Sequence, residues 1–252
     1  MIIVPLSEGS YTIDHTKEFI PFNKLQDNLQ TRPVGSLLVE IQPFAIITKN
    51  DTIILDCGLG YSNHSGVLNI HENLIKNNID PMNVTKVLLS HLHKDHAGGI
   101  GKHDSILRQT FLSFPNATYY VNKEELQIAL TPVNPSYKKE QVEVLEKNAN
   151  NVVLLEDSGK IDNYITYKKT AAHSVYHTVF WIEEGGQIVF FGADDAPQAQ
   201  QMKSKFVAKY DFDGRKSMQL REEWWRVGNQ NGWTFLFYHD IKNPIIGCSE
   251  KS

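Results

Sequence analysis

The chain is expected to form an α/β sandwich made of two similar halves. Strand-like apolar runs alternate with helical patterns, and the element order after residue 150 echoes the order before it. No repeat, low-complexity tract or Gly/Ser linker interrupts the 252 residues. That length buries a full core, either as one large domain or as two fused halves.

The first 35 residues mix turn formers (Gly9, Pro21, Pro33, Gly35) with isolated aromatics. They read as an extended lead-in to a single domain spanning 1–252. Three β-branched or apolar runs follow, 36–41, 44–48 and 52–55, separated by Pro43 and by Asn50-Asp51, a good hairpin turn. Asp56-Cys57-Gly58-Leu59-Gly60 is a tight glycine turn, since a lone GxG without its third glycine is weak evidence of a phosphate loop. Residues 68–79 show helical spacing, with Leu74, Ile75 and Ile79 on one face and Pro81 beyond the end. A buried-strand pattern over 84–90 then runs straight into a histidine cluster.

The middle of the chain predicts a strand over 118–121 and helices over 123–130 and 138–147, with Pro132 and Pro135 between them. The second half predicts strands over 152–155, 164–168, 178–182 and 187–191, with Gly185-Gly186 as a hairpin turn. A helix over 215–227 carries Leu220, Trp224 and Val227 toward the core. A last strand over 233–237 delivers Tyr238-His239-Asp240.

Composition excludes several classes of function. There are 25 Lys+Arg against 29 Asp+Glu, a net charge of −4, and no basic run. Little therefore attracts nucleic acid or an anionic membrane. No apolar stretch approaches the ~20 residues of a membrane span. The opening Met1-Ile2-Ile3-Val4-Pro5-Leu6 has no basic leader, and Cys57 and Cys248 make no disulfide framework. A cytoplasmic protein is expected, acting on a small molecule, with a homodimer left open.

Histidine carries the functional signal. Three of the 10 histidines fall in Ser90-His91-Leu92-His93-Lys94-Asp95-His96. At this composition a chance H-x-H-x-D-H arises in about one chain in a thousand. A surface loop needs no such clustering, and neighbouring imidazoles repel when protonated. Imidazole nitrogen and carboxylate oxygen without nearby thiolate are the ligands of zinc and related divalent metals. His91 and His93, two apart in a loop, can grip one ion, and Asp95 and His96 can reach a second. Four ligands saturate neither. Three polar residues at predicted strand ends can complete the set: His173, Asp194 and His239. Burying Asp194 without a partner would be costly.

These seven residues, in this order, resemble the metallo-β-lactamase superfamily. Ile53-Ile54-Leu55-Asp56-Cys57-Gly58 resembles its strand ending in Asp-x-Gly, and Ala172-His173-Ser174-Val175-Tyr176-His177 its G-H-T-x-G-H element. Phe191-Gly192-Ala193-Asp194 resembles the element ending Gly-Asp, with alanine in the glycine's place. The match spans roughly residues 35 to 245. Asp80-Pro81 and His239-Asp240 look most like the lactonase and organophosphate-hydrolase branch.

The resemblance implies a four-layer αβ/βα sandwich holding two divalent ions, zinc first, with manganese, iron or cobalt tolerated. It assigns His91, His93 and His173 to one ion, Asp95, His96 and His239 to the other, and Asp194 with a hydroxide as bridges. Asp195 competes with Asp194, and position after the preceding strand favours Asp194. His177 would pack or hydrogen-bond beside the ligands, and Asp56 would either steady the histidine loop or cap a turn. The implied reaction is attack of the bridging hydroxide on an ester-like bond, a lactone foremost, with Asp95 also carrying a proton to the leaving group. Phosphotriester, phosphodiester or aryl-ester hydrolysis, or a mononuclear iron dioxygenase, are the alternatives.

One departure concerns the substrate. Lactonases of this branch place a tyrosine three residues after the bridging aspartate, where this chain has Pro197. Tyr238 is expected to pack instead. The cavity walls are expected from residues 1–35 and 102–137, with Tyr11, Phe22, Phe111 and Phe114 either lining an acyl pocket or filling the core. His15, His64, His71 and His103 are expected at the surface.

Overall fold

A computed structural model describes residues 1–131 and 134–248. Two six-stranded sheets account for most of the strands. The first runs in the order Ile2–Pro5, Phe44–Ile47, Thr52–Leu55, Lys86–Leu88, Thr118–Asn122, Val152–Leu155. The second runs Ser158–Ile161, Ile165–Lys169, Thr178–Glu184, Gln187–Phe191, Thr234–Leu236, Ile245–Gly247. The chain thus completes one sheet before starting the other, which is the duplication expected from its element order.

Period-2 alternation sorts the side chains into layers. Ile53 and Leu55 face the second sheet, where they meet Phe180, Ile182 and Phe191 in the central core. Ile54, between them, faces outward with Val87 and Tyr119 against Leu74, Leu126 and Leu145 of the covering helices. On the far side Val179, Phe190 and Phe235 pack against Trp224 of helix Gly214–Gln230. Helices, sheet, sheet and helices make four layers, the architecture implied above. No helix among the described residues is long and apolar enough to cross a membrane.

Several elements depart from expectation. The lead-in is extended but not peripheral: Ile2–Pro5 is the edge strand of the first sheet, and Gly9–Ile13 pairs with Leu37–Ile41 in a separate three-stranded sheet. Residues 101–112 form a hairpin that no turn signal announced, Gly101–Asp104 with Gln109–Leu112. The first helix covers only Asn69–Lys76, with Ile70 and Leu74 on its buried face, while Ile75 points to solvent. Its end is set by Asn78, which adopts φ 60° and breaks the helical run before Ile79. Of the two prolines expected between the middle helices, Pro132 lies outside the described residues.

The glycine turn behaves as a close-packing device. Gly60 has φ 73°, and a Cβ there would sit 2.1 Å from the carbonyl oxygen of Gly98. That contact presses the 56–60 turn against the segment following the histidine cluster, and Cys57 N–H donates to the His96 carbonyl at 2.7 Å.

Candidate metal centre

All seven residues singled out from the sequence meet at one rim of the sandwich, beyond strand ends from both sheets. His91 follows Lys86–Leu88, Asp194 follows Gln187–Phe191, and His239 follows Thr234–Leu236. His173 lies in the connection from Ile165–Lys169 to Thr178–Glu184. Ser90 stitches the two sheets together beside them, its carbonyl accepting from Thr178 N–H at 2.8 Å.

The histidine cluster is not wholly a loop. His93 caps a short helix, Lys94–Ala97, whose first bonds run from His96 and Ala97 N–H to the His93 carbonyl, each 2.9 Å. This turn is what swings Asp95 and His96 away from His91 and His93, toward a second group of donors.

Two groups result. In the first, His93 Nδ1 lies 3.0 Å from His91 Nε2 and 3.2 Å from His173 Nε2, with Asp194 Oδ2 3.3 Å from His173 Nε2. In the second, Asp95 Oδ2 lies 3.7 Å from His96 Nε2 and 3.6 Å from His239 Nε2. Asp194 touches both: its other oxygen, Oδ1, is 3.2 Å from His96 Nε2 and 3.0 Å from His239 Nε2.

The outer ring nitrogens are held by the fold. His96 Nδ1–H donates to Asp56 Oδ2 at 2.7 Å, His173 Nδ1–H to Asp211 Oδ1 at 2.8 Å, and His239 Nδ1–H to the Glu40 carbonyl at 2.8 Å. His91 Nδ1 lies 3.0 Å from Ser90 Oγ, which itself donates to Asp56 Oδ2 at 2.6 Å. Such partners fix the tautomer and leave the inner nitrogen with a free lone pair. Asp56 therefore steadies the histidine loop, and its backbone at φ 55° turns the chain there as well.

This donor set fits divalent metal. His96 Nε2 and Asp194 Oδ1 are buried, yet neither has a hydrogen-bond partner among the described residues. The two atoms lie 3.2 Å apart without forming a hydrogen bond, a costly arrangement unless a cation satisfies them. Burial and then the surrounding imidazoles push His91 and His93 well below the usual histidine range, keeping their lone pairs free. Burial acts on His96, His173 and His239 in the same sense, but the nearby carboxylates, Asp194 foremost, outweigh it and raise all three. Burial would raise Asp194, but His239, His96 and His173 overcome it and hold the carboxyl ionised well below its usual range.

Asp195, the competitor of Asp194, faces away. Its Oδ1 accepts from His173 N–H at 2.7 Å and its Oδ2 lies 3.1 Å from His177 Nδ1. His177 is fully buried, its ring 4.9 Å from that of His91. Tyr238 packs as expected, stacked on His96 at 4.0 Å and donating to the Asp95 carbonyl at 2.6 Å. Ala193 stands at φ 42°, a left-handed conformation that glycine would adopt freely.

Sequence reasoning missed several supports. Asp211, Glu40, Glu125 and Arg221 have no motif. Glu125 is buried and accepts from Leu92 N–H at 2.9 Å and Tyr137 O–H at 3.0 Å, bracing the middle of the histidine motif. Arg221, also buried, donates to the carbonyls of Asp195 and Phe206 at 3.0 and 2.6 Å. Helical spacing placed this part of the chain correctly but could not reveal what the guanidinium reaches.

The donors open into a cavity of about 600 Å³. Residues 1–35 line it as expected, with Ile13 and Phe19 among them, but 102–137 supplies only Ser136; Leu37, Val39 and residues between Pro197 and Tyr210 complete the lining. Of the four aromatics considered for an acyl pocket, Tyr11 and Phe114 are core, Phe22 is half-buried and Phe111 is exposed on the hairpin; none lines this cavity. His71, expected at the surface, is half-buried with its ring 5.1 Å from Phe114, because it shares the inward side of its helix.

Fold and donors together define a metal-binding αβ/βα sandwich. The sequence profile of the metallo-beta-lactamase superfamily matches residues 38–201, and the chain belongs to that superfamily. An N-acyl homoserine lactonase, AttM, of Azorhizobium caulinodans is 44% identical over 54 residues, covering 21% of this chain and 16% of that protein. The likeness thus spans a small part of the relative's length. A probable metal-dependent hydrolase from Staphylococcus aureus superposes with TM-score 0.77 at 23% identity, over 99% of this chain and 93% of that one. AidC, a dizinc quorum-quenching lactonase in complex with a product, N-hexanoyl-L-homoserine, superposes with TM-score 0.71 at 16% identity, over 96% and 88%.

Proposed function

We propose that the protein is a metal-dependent hydrolase that opens a lactone ring, working with two divalent ions, zinc foremost. His91, His93 and His173 would hold one ion, Asp95, His96 and His239 the other, and Asp194 both. The observation that carries this reading is the double reach of Asp194, one oxygen toward His173 and the other toward His96 and His239. When bound, such ions polarise a carbonyl oxygen and lower the pKa of water toward neutrality.

The residues of the chain do the rest. Ile13, Phe19, Leu37 and Val39 offer an apolar wall to the acyl portion of a substrate and exclude water from it. Asp95 lines the cavity with His93 and His239 and would pass a proton to the departing ring oxygen. The anchors Asp56, Asp211 and the Glu40 carbonyl hold the imidazoles through the reaction, so no reorganisation is needed as charge develops. The lactonase names of AttM and AidC favour a lactone over other esters. A small molecule suits the cavity, and the net charge of −4 argues against a polyanionic nucleic acid.

The test is a hydrolysis screen of lactones, aryl esters and phosphotriesters on protein whose metal content has been measured. Lactones should be turned over fastest, and the rate should follow metal content. Undiminished hydrolysis after chelation would overturn the metal role, and turnover of phosphotriesters alone would overturn the substrate class.

A further inference from the structure

Resting on that reading of the cavity, we infer that the substrate carries an anionic group, a carboxylate or a phosphate, which Lys17 and Lys94 hold a short distance from the donors. Lys94 occupies the variable position between His93 and Asp95 of the motif, and its side chain lines the cavity. Its Nζ lies 5.9 Å from the centre of the Phe19 ring. Lys17 lines the same cavity from the N-terminal segment, two residues before Phe19. Both lysines are half-buried.

What separates them from the other partly buried lysines is the absence of a counter-ion. Lys86 pairs with Asp51 at 2.5 Å and with Asp162 at 2.9 Å, and Lys169 pairs with Asp157. Even the more exposed Lys24 has Glu40 at 2.9 Å. Neither Lys17 nor Lys94 has a carboxylate within 4 Å among the described residues. Glu18, beside Lys17 in the chain, is exposed to solvent, and the acids that line the cavity are otherwise engaged. Asp14 accepts from Thr16 N–H at 2.9 Å and from its hydroxyl at 2.6 Å, while Asp95 and Asp194 turn toward the imidazoles.

Lys17 keeps φ 63°, a left-handed backbone that a side-chain-bearing residue rarely holds. Two partly desolvated ammonium groups without an anion are unfavourable in the free protein and become favourable once one is supplied. Because His93, Asp95, Asp194 and His239 line the same cavity as the two lysines, the anion would share that cavity with the ester under attack. The apolar wall alone would select a neutral chain; the lysines add a requirement for charge.

The test uses metal-loaded enzyme and three lactones of one skeleton, ending in a carboxylate, a phosphate or a neutral methyl ester. Wild type should favour at least one charged form over the neutral one by about tenfold in kcat/KM, through KM, and the better of the two identifies the anion. Lys94→Met and Lys17→Met should each pull that ratio toward one. A ratio near one in the wild type, or one unchanged in both variants, overturns the inference. Calorimetric binding of the matching non-hydrolysable lactams separates the two readings. If no lactone is hydrolysed, the proposed function fails, while tighter binding of the charged lactam, lost in Lys94→Met, still upholds the anion site. Equal binding of charged and neutral lactams overturns it.

Discussion

The donors come from two kinds of sequence. His91, His93, Asp95 and His96 lie within six residues, carried by one strand end and one helical turn. His173, Asp194 and His239 are scattered over 67 residues and reach the same point only because separate strands end at one rim. The contiguous set is shaped by local bonds, such as those from His96 and Ala97 to the His93 carbonyl, and is braced by Asp56 and Glu125. The scattered set depends on long-range partners: Asp211 for His173 and the Glu40 carbonyl for His239. A cluster can therefore be legible in sequence while its completion is a property of packing.

Breaking the junction between the two sets should have the largest effect. Asp194→Ala removes the carboxylate whose two oxygens face His173 on one side and His96 and His239 on the other, and should lower hydrolysis by on the order of a thousandfold or more. Elemental analysis of the purified variant should show metal lost together with activity. Full activity without metal would end the two-ion reading.

Replacing the anchors gives a smaller effect and compares the two sets directly. Asp56→Asn and Asp211→Asn keep shape but alter the acceptor behind one histidine each. Losses of about 10–100-fold in metal affinity are expected for such partners. Asp56→Asn should be the worse, because Asp56 also accepts from Ser90 N–H at 2.8 Å and from the Ser90 hydroxyl. Competition with a chromophoric chelator measures both, and a larger loss for Asp211→Asn would reverse the ranking.

The smallest effect lies beneath the contiguous set. Glu8 accepts from Leu59 N–H at 2.8 Å within the glycine turn, and its Oε1 is buried without a partner. Burial pushes its carboxyl up to about 8, against a smaller lowering from that bond. An unfolded chain ionises the same group near 4.5. The contribution of the neutral acid is therefore fully present below about 4.5 and is lost as pH rises through about 8. Glu8→Gln should melt close to wild type near pH 5 and increasingly above it as pH approaches about 8.5. A Tm difference that does not change with pH would show that Glu8 is ionised throughout.

Much of the fold was readable because its signals are local. Thr52–Leu55, Val152–Leu155 and Gln187–Phe191 occur within the bounds expected from their apolar runs. The hairpin 101–112 and the edge strand Ile2–Pro5 were not readable, since pairing with a neighbour decides them more than intrinsic preference does. The choice of Asp194 over Asp195 rested on strand register. The fold separates them further by giving Asp195 to His173 N–H and His177. The cavity wall from Pro197 to Tyr210 had no signal at all, because its position depends on Arg221 holding the carbonyls of Asp195 and Phe206 from a distant helix.

Residue order alone established the class of chemistry. A dense run of imidazoles beside a carboxylate, followed by polar residues at strand ends, suffices to propose a metal site, since ligand type and short-range spacing are written in the chain. Convergence, tautomer and cavity shape were settled by folding. Each depends on contacts between residues tens to hundreds of positions apart, such as Glu40 with His239 or Asp56 with His96. Such contacts exist only once strands distant in sequence have paired and packed together.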